Sequence, residues 1–317
     1  MTARLCCPRC RSFLDQVEEG FICPTCRHEY PVIAGIPDLR LAPGPYLSLE
    51  EDRRKARTLI ELDLGFADTI DAYWRMTPEV PAHLARAYTK AMIEGPERAD
   101  PFLDELAPLN GHDLLDIGCG TGGLLIGATR RGARVTGIDI ALRWLAIAGL
   151  RLKEEGAGGT LIAADGSLPP FRHQSFTRVS AVETLEHASD QAGLLNAAMA
   201  LTAGEGRTYV LAANRLSLLP NPTFGLWGLG LLPRRLAIWY VAVRRHTRYQ
   251  FYRPVSVMSL QAMLGPHSTA TIAAGALPGG SVTGLEGFSR RLYASLRDTP
   301  PFGSILRHVG PFLEIRQ

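Results

Sequence analysis

The chain has 317 residues, of which 46% are hydrophobic and 21% charged, which excludes disorder or a coiled coil as its main state. Its length suggests about two domains. The 34 Lys and Arg against 31 Asp and Glu leave a net charge of +3, so the sum offers no overall field for gathering a polyanion. The opening residues Met1 to Leu5 carry no long apolar run, which reads as cytoplasmic.

Five of the six cysteines, Cys6, Cys7, Cys10, Cys23 and Cys26, fall within the first 26 residues, and Cys119 stands alone. Cys7-Pro8-Arg9-Cys10 and Cys23-Pro24-Thr25-Cys26 are two CxxC pairs with twelve residues between them. Two thiolates on one tight turn can converge on an ion, and a second turn completes a tetrahedron around Zn²⁺. The doubled motif disfavours disulfides or redox pairs. A closed shell of Cys7, Cys10, Cys23 and Cys26 leaves no open position, so the zinc is expected to be structural. Cys6 is an alternative to Cys7, and His28 is a spare ligand that four cysteines make unnecessary. A segment this short buries too little apolar surface to fold alone, so metal would supply the missing folding energy.

The residues that follow, Phe21-Ile22-Cys23-Pro24-Thr25-Cys26 through Tyr30-Pro31-Val32 to Gly35-Ile36-Pro37, resemble the Trm112-like zinc ribbon. The resemblance implies a module that precedes or partners methyltransferase domains without carrying chemistry itself.

Between Leu41 and Pro108 the chain reads as helical. Ser48-Leu49-Glu50-Glu51 is a capping-box pattern opening a helix to about Leu64, and a second amphipathic stretch runs from Glu79 to Glu94. Either these helices form a linker packed on the next domain, or they cap a substrate mouth with Tyr73, Trp74 and Tyr88. Arg53, Arg54, Lys55 and Arg57 are mixed with Glu50, Glu51 and Asp52, as on a solvated helix face rather than an RNA contact.

Asp113-Leu114-Leu115-Asp116-Ile117 is a short apolar run suited to a buried parallel strand. It enters Gly118-Cys119-Gly120-Thr121-Gly122-Gly123 and then a helical segment, while a second strand, Arg134 to Ile138, ends at Asp139. Glycines at a strand-to-helix turn let the backbone approach a ligand that a Cβ would exclude. An acid ending the next strand can take the two hydroxyls of a ribose. Gly118, Gly120 and Gly123 satisfy the dinucleotide spacing numerically, so the turn alone admits any adenosine-bearing ligand.

Four landmarks in order narrow the choice. Asp116-Ile117-Gly118-Cys119-Gly120-Thr121-Gly122 resembles motif I of class I S-adenosylmethionine-dependent methyltransferases, and Gly137-Ile138-Asp139-Ile140 resembles their ribose-binding strand end. Ala164-Asp165-Gly166-Ser167-Leu168-Pro169, with Phe171 and Phe176, resembles the adenine loop, and Ser180 to His187 resembles the motif ending the fourth strand. The resemblance implies that Gly118, Cys119, Gly120 and Gly122 line the methionine and ribose portion through their backbone. Asp116 would orient that loop or the amino group, Asp139 with Ile140 would take the ribose, and Asp165 with Gly166 the adenine. Cys119 fits as a small loop residue with no nucleophilic role.

Methyl transfer from a sulfonium is an in-line displacement in which alignment supplies most of the catalysis, and a base serves only an acceptor that must lose a proton. The candidates are Glu183, Glu186 and His187, which a helical turn starting at Glu183 would place on one face. Together they resemble the metal-binding segment of ubiquinone-pathway O-methyltransferases and small-RNA 2′-O-methyltransferases, which implies a Mg²⁺ site or His187 acting as a general base.

After a fifth strand, Arg207 to Ala212, residues 214–254 form an apolar insertion broken by Pro220 and Pro222, and Arg pairs bracket Leu236 to Val243. The broken hydrophobic stretch argues against a spanning helix. A lid over the substrate is the first reading, and membrane-surface contact through 214–245 the second. The rest, to Ile315, reads as a last helix and a closing antiparallel pair.

The expected fold is α/β: a doubly wound Rossmann-like methyltransferase sheet with an N-terminal zinc ribbon and an inserted helical lid. Residues 1–42 are the ribbon, 43–108 a helical connector or cap, and 109–317 the methyltransferase domain. The expected function is methylation of a small biosynthetic intermediate, a secondary metabolite or lipid-like acceptor. A first alternative is methylation of rRNA or tRNA with the ribbon recognising RNA. Against it, Ser180-Ala181-Val182-Glu183 lacks the Pro-Pro-aromatic run of many base-amino methyltransferases. A non-catalytic cofactor-binding partner is the second alternative, opposed by Asp116, Asp139 and Asp165. Oligomeric state has no signature in the sequence.

Overall fold

A computed structural model describes residues 4–221, 223–247, 249, 251–280 and 284–317, so residues 1–3 of the expected ribbon and Pro222 of the insertion lie outside the described residues. Four short strands come first, β1 (Asp15–Val17), β2 (Gly20–Ile22), β3 (Glu29–Ile33) and β4 (Ile36–Pro37), paired in sequence order. The two cysteine turns are built alike. In each, the residue after the second Cys, Arg11 or Arg27, takes a left-handed backbone (φ 65° and 59°) and donates its N–H to the first cysteine's carbonyl at 2.8 and 2.9 Å.

Helices α1 (Leu49–Glu61), α2 (Phe66–Arg75), α3 (Ala82–Ile93) and α4 (Gly95–Leu106) form the connector. Ser48 and Glu51 close the expected capping box on α1. Tyr73 is buried against Trp144, with ring centroids 4.4 Å apart, so that side chain belongs to helix packing and lines no open mouth. Helix α4 lies inside the stretch expected to be helical and carries two prolines, Pro96 and Pro101. Pro96 sits in the first turn, where no N–H is required, and Pro101 offers no N–H to the Glu97 carbonyl four residues earlier.

The large sheet follows, with β5 (Asp113–Ile117), β6 (Arg134–Asp139), β7 (Gly159–Ala163), β8 (Phe176–Val182), β9 (Thr202–Ala213), β10 (Thr271–Ala274) and β11 (Phe312–Arg316). Its order is β10-β11-β9-β8-β5-β6-β7. Strands β5 to β9 pair in parallel, and β11 runs antiparallel to both β9 and β10. The chain starts at the centre with β5, steps outward to β7, and returns to the other side of β5 with β8. The switch point therefore lies at the ends of β5, β6 and β8, where a doubly wound sheet binds ligands. Helices α5 (Gly123–Arg130), α6 (Leu142–Glu154) and α7 (Gln191–Leu201) connect these strands, while α8 (Arg234–Arg245), α9 (Val257–Leu264), α10 (Gly284–Arg297) and α11 (Phe302–Val309) follow β9.

One apolar cluster runs from Leu14, Tyr30 and Leu39 of the ribbon to Ile117, Ile162 and Phe171 of the sheet, so the two share a core. Leu39 donates its N–H to the Ala163 carbonyl at 2.8 Å, extending the ribbon along the edge strand β7. This bridge caps the last residue of that edge.

Candidate functional site

The turn between β5 and α5 needs its glycines for different reasons. Gly118, Gly120 and Gly122 have φ of 78°, 52° and 77°. A Cβ on Gly118 would come closer than 3.0 Å to the Thr184 side chain, while one on Gly120 would meet nothing within 4 Å. Gly118 thus lets β5 and the end of β8 close together, and Gly120 leaves open space above the loop. Gly137 lies against the Cys119 sulfur, where a Cβ would again come within 3.0 Å. Burial pushes the Cys119 thiol well above its ordinary range, leaving it un-ionised.

Asp139 ties this turn to the next strand. Its carboxylate accepts from Gly120 N–H at 2.9 Å and from Ala141 N–H at 2.7 Å. A carboxylate offers about four acceptor positions, so two remain for ligand hydroxyls. Burial raises its pKa, and the Ala141 and Gly120 N–H donors pull it back. Asp116 is buried on β5 and accepts from Ser180 Oγ at 2.8 Å. Burial pushes it up to about 7, with Asp139 adding to the rise. Asp165 folds its own loop, accepting Ser167 N–H and Oγ at 2.8 Å. Gly166 packs on Ile117, where a Cβ would not fit.

Glu183, Glu186 and His187 follow β8, but not on one α-helical face. Glu183 has φ 52°, and only Leu185–His187 forms a single 3-10 turn. Burial raises both carboxyls, Glu186 to about 8, and lowers His187 to about 4. Glu186 Oε1 accepts from Ala213 N–H at 3.3 Å, while its buried Oε2 has no hydrogen-bond partner. Among the described residues, the only group of three or more His, Cys, Asp or Glu with donor atoms all within 4.8 Å is Cys7, Cys10, Cys23 and Cys26. As placed, the Glu183, Glu186 and His187 set does not fit a shared cation.

The four cysteines do fit a metal. None is in a disulfide, and Cys7–Cys26 and Cys10–Cys23 sulfurs stand 3.6 and 3.4 Å apart. Zn–S bonds of about 2.3 Å in a tetrahedron place sulfurs about 3.8 Å apart. Cys6 turns away, its sulfur 4.0 Å from the Arg4 carbonyl, and His28 lies beside Arg9 and Tyr30.

Some residues of the site were not legible beforehand. Tyr252, at the return of the insertion, is buried with its ring 5.3 Å from His187, and its hydroxyl accepts from Asn221 Nδ2 at 3.0 Å. Arg253 N–H donates to the Glu186 carbonyl at 2.7 Å, pinning the insertion onto the 3-10 turn. A buried ion network of Asp38, Arg40, Asp52 and Arg143 lies beside Ile140. Tyr46 and Phe251 meet at 5.6 Å, bringing connector and insertion into contact. The insertion's helix α8 buries Ala237 and Val241 and exposes Leu236, Trp239 and Val243, so its outer face is not packed on the sheet.

A family model described as a methyltransferase domain matches residues 115–210, and one described as Trm112p-like protein matches residues 3–35. The ubiquinone biosynthesis O-methyltransferase of Albidiferax ferrireducens is 31% identical over 176 residues, covering 49% of this chain and 69% of that protein. The protein of the same description from Paracidovorax citrulli is 35% identical over 137 residues, covering 42% of this chain and 58% of that protein, little more than half its length. A solved structure, an S-adenosylmethionine-dependent methyltransferase from Mesorhizobium loti, is 19% identical, covering 69% of this chain and 96% of that chain with a TM-score of 0.46.

Proposed function

This chain belongs to the S-adenosylmethionine-dependent methyltransferases, and on that premise we propose that it methylates a small, largely apolar biosynthetic intermediate. The observation that carries the reading is the cradle made when Gly120 donates to Asp139 at the switch point, with Asp116 and Asp165 flanking it. S-adenosylmethionine, when bound, supplies an electrophilic methyl on a sulfonium. Gly118, Cys119, Gly120 and Gly122 would line its methionine and ribose through backbone groups. Asp139 would take the ribose hydroxyls beside Ile140, Asp165 and Gly166 would meet the adenine, and Asp116 would face the amino group. Alignment of the acceptor with the methyl would supply most of the rate.

On the acceptor side, His187 is neutral at physiological pH and has a lone pair free to take a proton from a hydroxyl. Burial keeps Glu186 protonated, so it can donate a hydrogen bond. Tyr252 closes the wall beside them. No step requires Mg²⁺. The four cysteines would hold a structural Zn²⁺ remote from the transfer.

The insertion supports an acceptor delivered from a membrane surface. The net charge of +3 conceals a division: residues 1–205 hold 21 basic against 28 acidic side chains, and residues 206–317 hold 13 against 3. From Gly206 to Leu285 there are eight Arg and no Asp or Glu. Trp227, Leu231, Leu236, Trp239 and Val243 are all more than half exposed in this basic segment. Arginines flanking an exposed Trp and Leu face suit an anionic lipid interface. No helix among the described residues is long and apolar enough to cross a membrane.

The test is transfer of labelled methyl from S-adenosylmethionine into extract from source cells lacking the gene, followed by fractionation. Label in the organic phase supports the proposal. Label in RNA, with affinity falling steeply as salt rises, would replace it with RNA methylation. Label in no fraction would leave the non-catalytic partner.

A further inference from the structure

The turn from Asp139 to Leu142 is a stretch of the cradle whose backbone is held in part from outside its own domain. Ala141 N–H goes to Asp139, within the turn. The Asp139 carbonyl takes the N–H of Ala164 at 3.0 Å and the Ala141 carbonyl that of Trp144 at 2.9 Å, while two further groups go to residues far away in sequence. The Ile140 carbonyl accepts from Arg40 Nη1 at 2.8 Å, and Leu142 N–H donates to Asp52 Oδ2 at 2.8 Å. Helix α6 starts at Leu142 with Ala141 at its N-cap and no side-chain cap of its own, so Asp52, from α1, supplies the missing acceptor. Asp52 also accepts from Arg143 Nη1 at 2.6 Å.

Arg40 and Asp52 are bonded to each other at 2.5 Å, and Arg40 is gripped by Asp38 through Nε at 2.7 Å and Nη2 at 2.8 Å. Asp38 and Arg40 are the tail of the ribbon, directly after β4. The ribbon reaches the adenine side as well. Arg11 donates to the carbonyls of Pro169 and Phe171, and Cys6 N–H to that of Pro170 at 2.8 Å. These carbonyls end the loop that begins at Asp165.

We propose that the N-terminal ribbon is a positioning element of the cofactor site, and that the Arg40–Asp52 pair is the link through which it sets the shape of the Asp139–Leu142 turn. This rests on the reading of that turn as the ribose side of an S-adenosylmethionine site. Binding at the turn and integrity of the ribbon are then coupled, and linkage makes the coupling reciprocal. A buried ion network that merely anchored the ribbon would affect unfolding temperature alone.

The experiment is calorimetric titration of S-adenosylhomocysteine into the full-length wild type, Arg40→Met and Asp52→Asn, below their unfolding temperatures. Amide hydrogen exchange at residues 140–142 is measured on the same proteins without ligand. Both variants should bind about tenfold more weakly or worse. Their exchange at residues 140–142 should quicken, while that of β8 stays as in the wild type. Wild-type affinity and exchange in folded variants would overturn the proposal. Asp52→Asn keeps the side chain's shape and removes only the charge that holds Arg40 and Arg143, so it decides alone where Arg40→Met does not fold. In the unaltered protein, saturating S-adenosylhomocysteine should slow metal loss to a chelator several-fold, and an unchanged rate would contradict the coupling. If the wild type takes up no ligand, the cofactor reading fails, and exchange at residues 140–142 in the variants still decides the positioning claim.

Discussion

Ser180 donates its hydroxyl to the buried Asp116 carboxyl at 2.8 Å, joining the ends of two neighbouring strands beneath the glycine turn. Burial pushes Asp116 up to about 7 from 3.8, so between those values the folded protein holds a proton that the unfolded chain releases. Its contribution to stability is therefore full below about pH 4 and lost as pH rises through about 7. Relative to Asp116→Asn, the wild type should lose on the order of 4 kcal/mol across that window, since one pKa unit is worth about 1.4 kcal/mol. Cofactor affinity should rise over the same range, because only the ionised carboxylate attracts a cationic amino group. Chemical denaturation and ligand titration from pH 4 to 8 check both. Parallel pH curves for wild type and Asp116→Asn would contradict this assignment.

Gly118 tests the contact between the two strand ends. Its φ of 78° and the closeness of Thr184 both oppose a Cβ. Gly118→Ala should cost about 1–3 kcal/mol from the backbone alone, with the steric clash added. The double variant Gly118→Ala with Thr184→Ala should recover only part of the steric cost, since the remaining Cβ at 184 still lies 2.9 Å from the new methyl. Full recovery in thermal melts would show that the backbone conformation carries no strain.

How much of this was legible beforehand depends on how local the physical cause is. The glycine turn could be read because positive φ at Gly118, Gly120 and Gly122 restricts residue type within a few positions. The capping box at Ser48 and the cysteine turns are local in the same way. The Arg40, Asp52 and Arg143 network could not be read, because its partners lie far apart in sequence and their burial is decided only by the fold. On sequence alone, Asp52 belongs to an ordinary charged helix face. Glu183 was misplaced because its left-handed backbone breaks the helical spacing on which the shared face depended. The basic character of residues 206–317 was present in the sequence and vanished only in the sum.

The ribbon predicts a stoichiometry. Elemental analysis should give about one zinc per chain, and Cys23→Ser should abolish it and lower the unfolding temperature, because metal binding is folding energy here. Cys6→Ser should retain the metal, since Cys6 points away from the cluster. A folded, metal-free wild type, or zinc loss in Cys6→Ser, would defeat the assignment of Cys7, Cys10, Cys23 and Cys26.

His187 predicts a split between binding and turnover. His187→Ala should lower kcat by about a hundredfold or more, as expected for loss of a general base, with cofactor affinity little changed. The pH–rate profile of the variant should also lose its acid limb. Unchanged turnover would reduce His187 to packing against Tyr252.

The most direct test of the cradle is a calorimetric titration of S-adenosylmethionine into the wild type and Asp139→Ala. The account predicts one equivalent bound by the wild type and affinity at least about tenfold weaker in the folded variant, a loss of roughly 1.4 kcal/mol or more. Equal affinity in the two proteins, or no binding to the wild type, would contradict it.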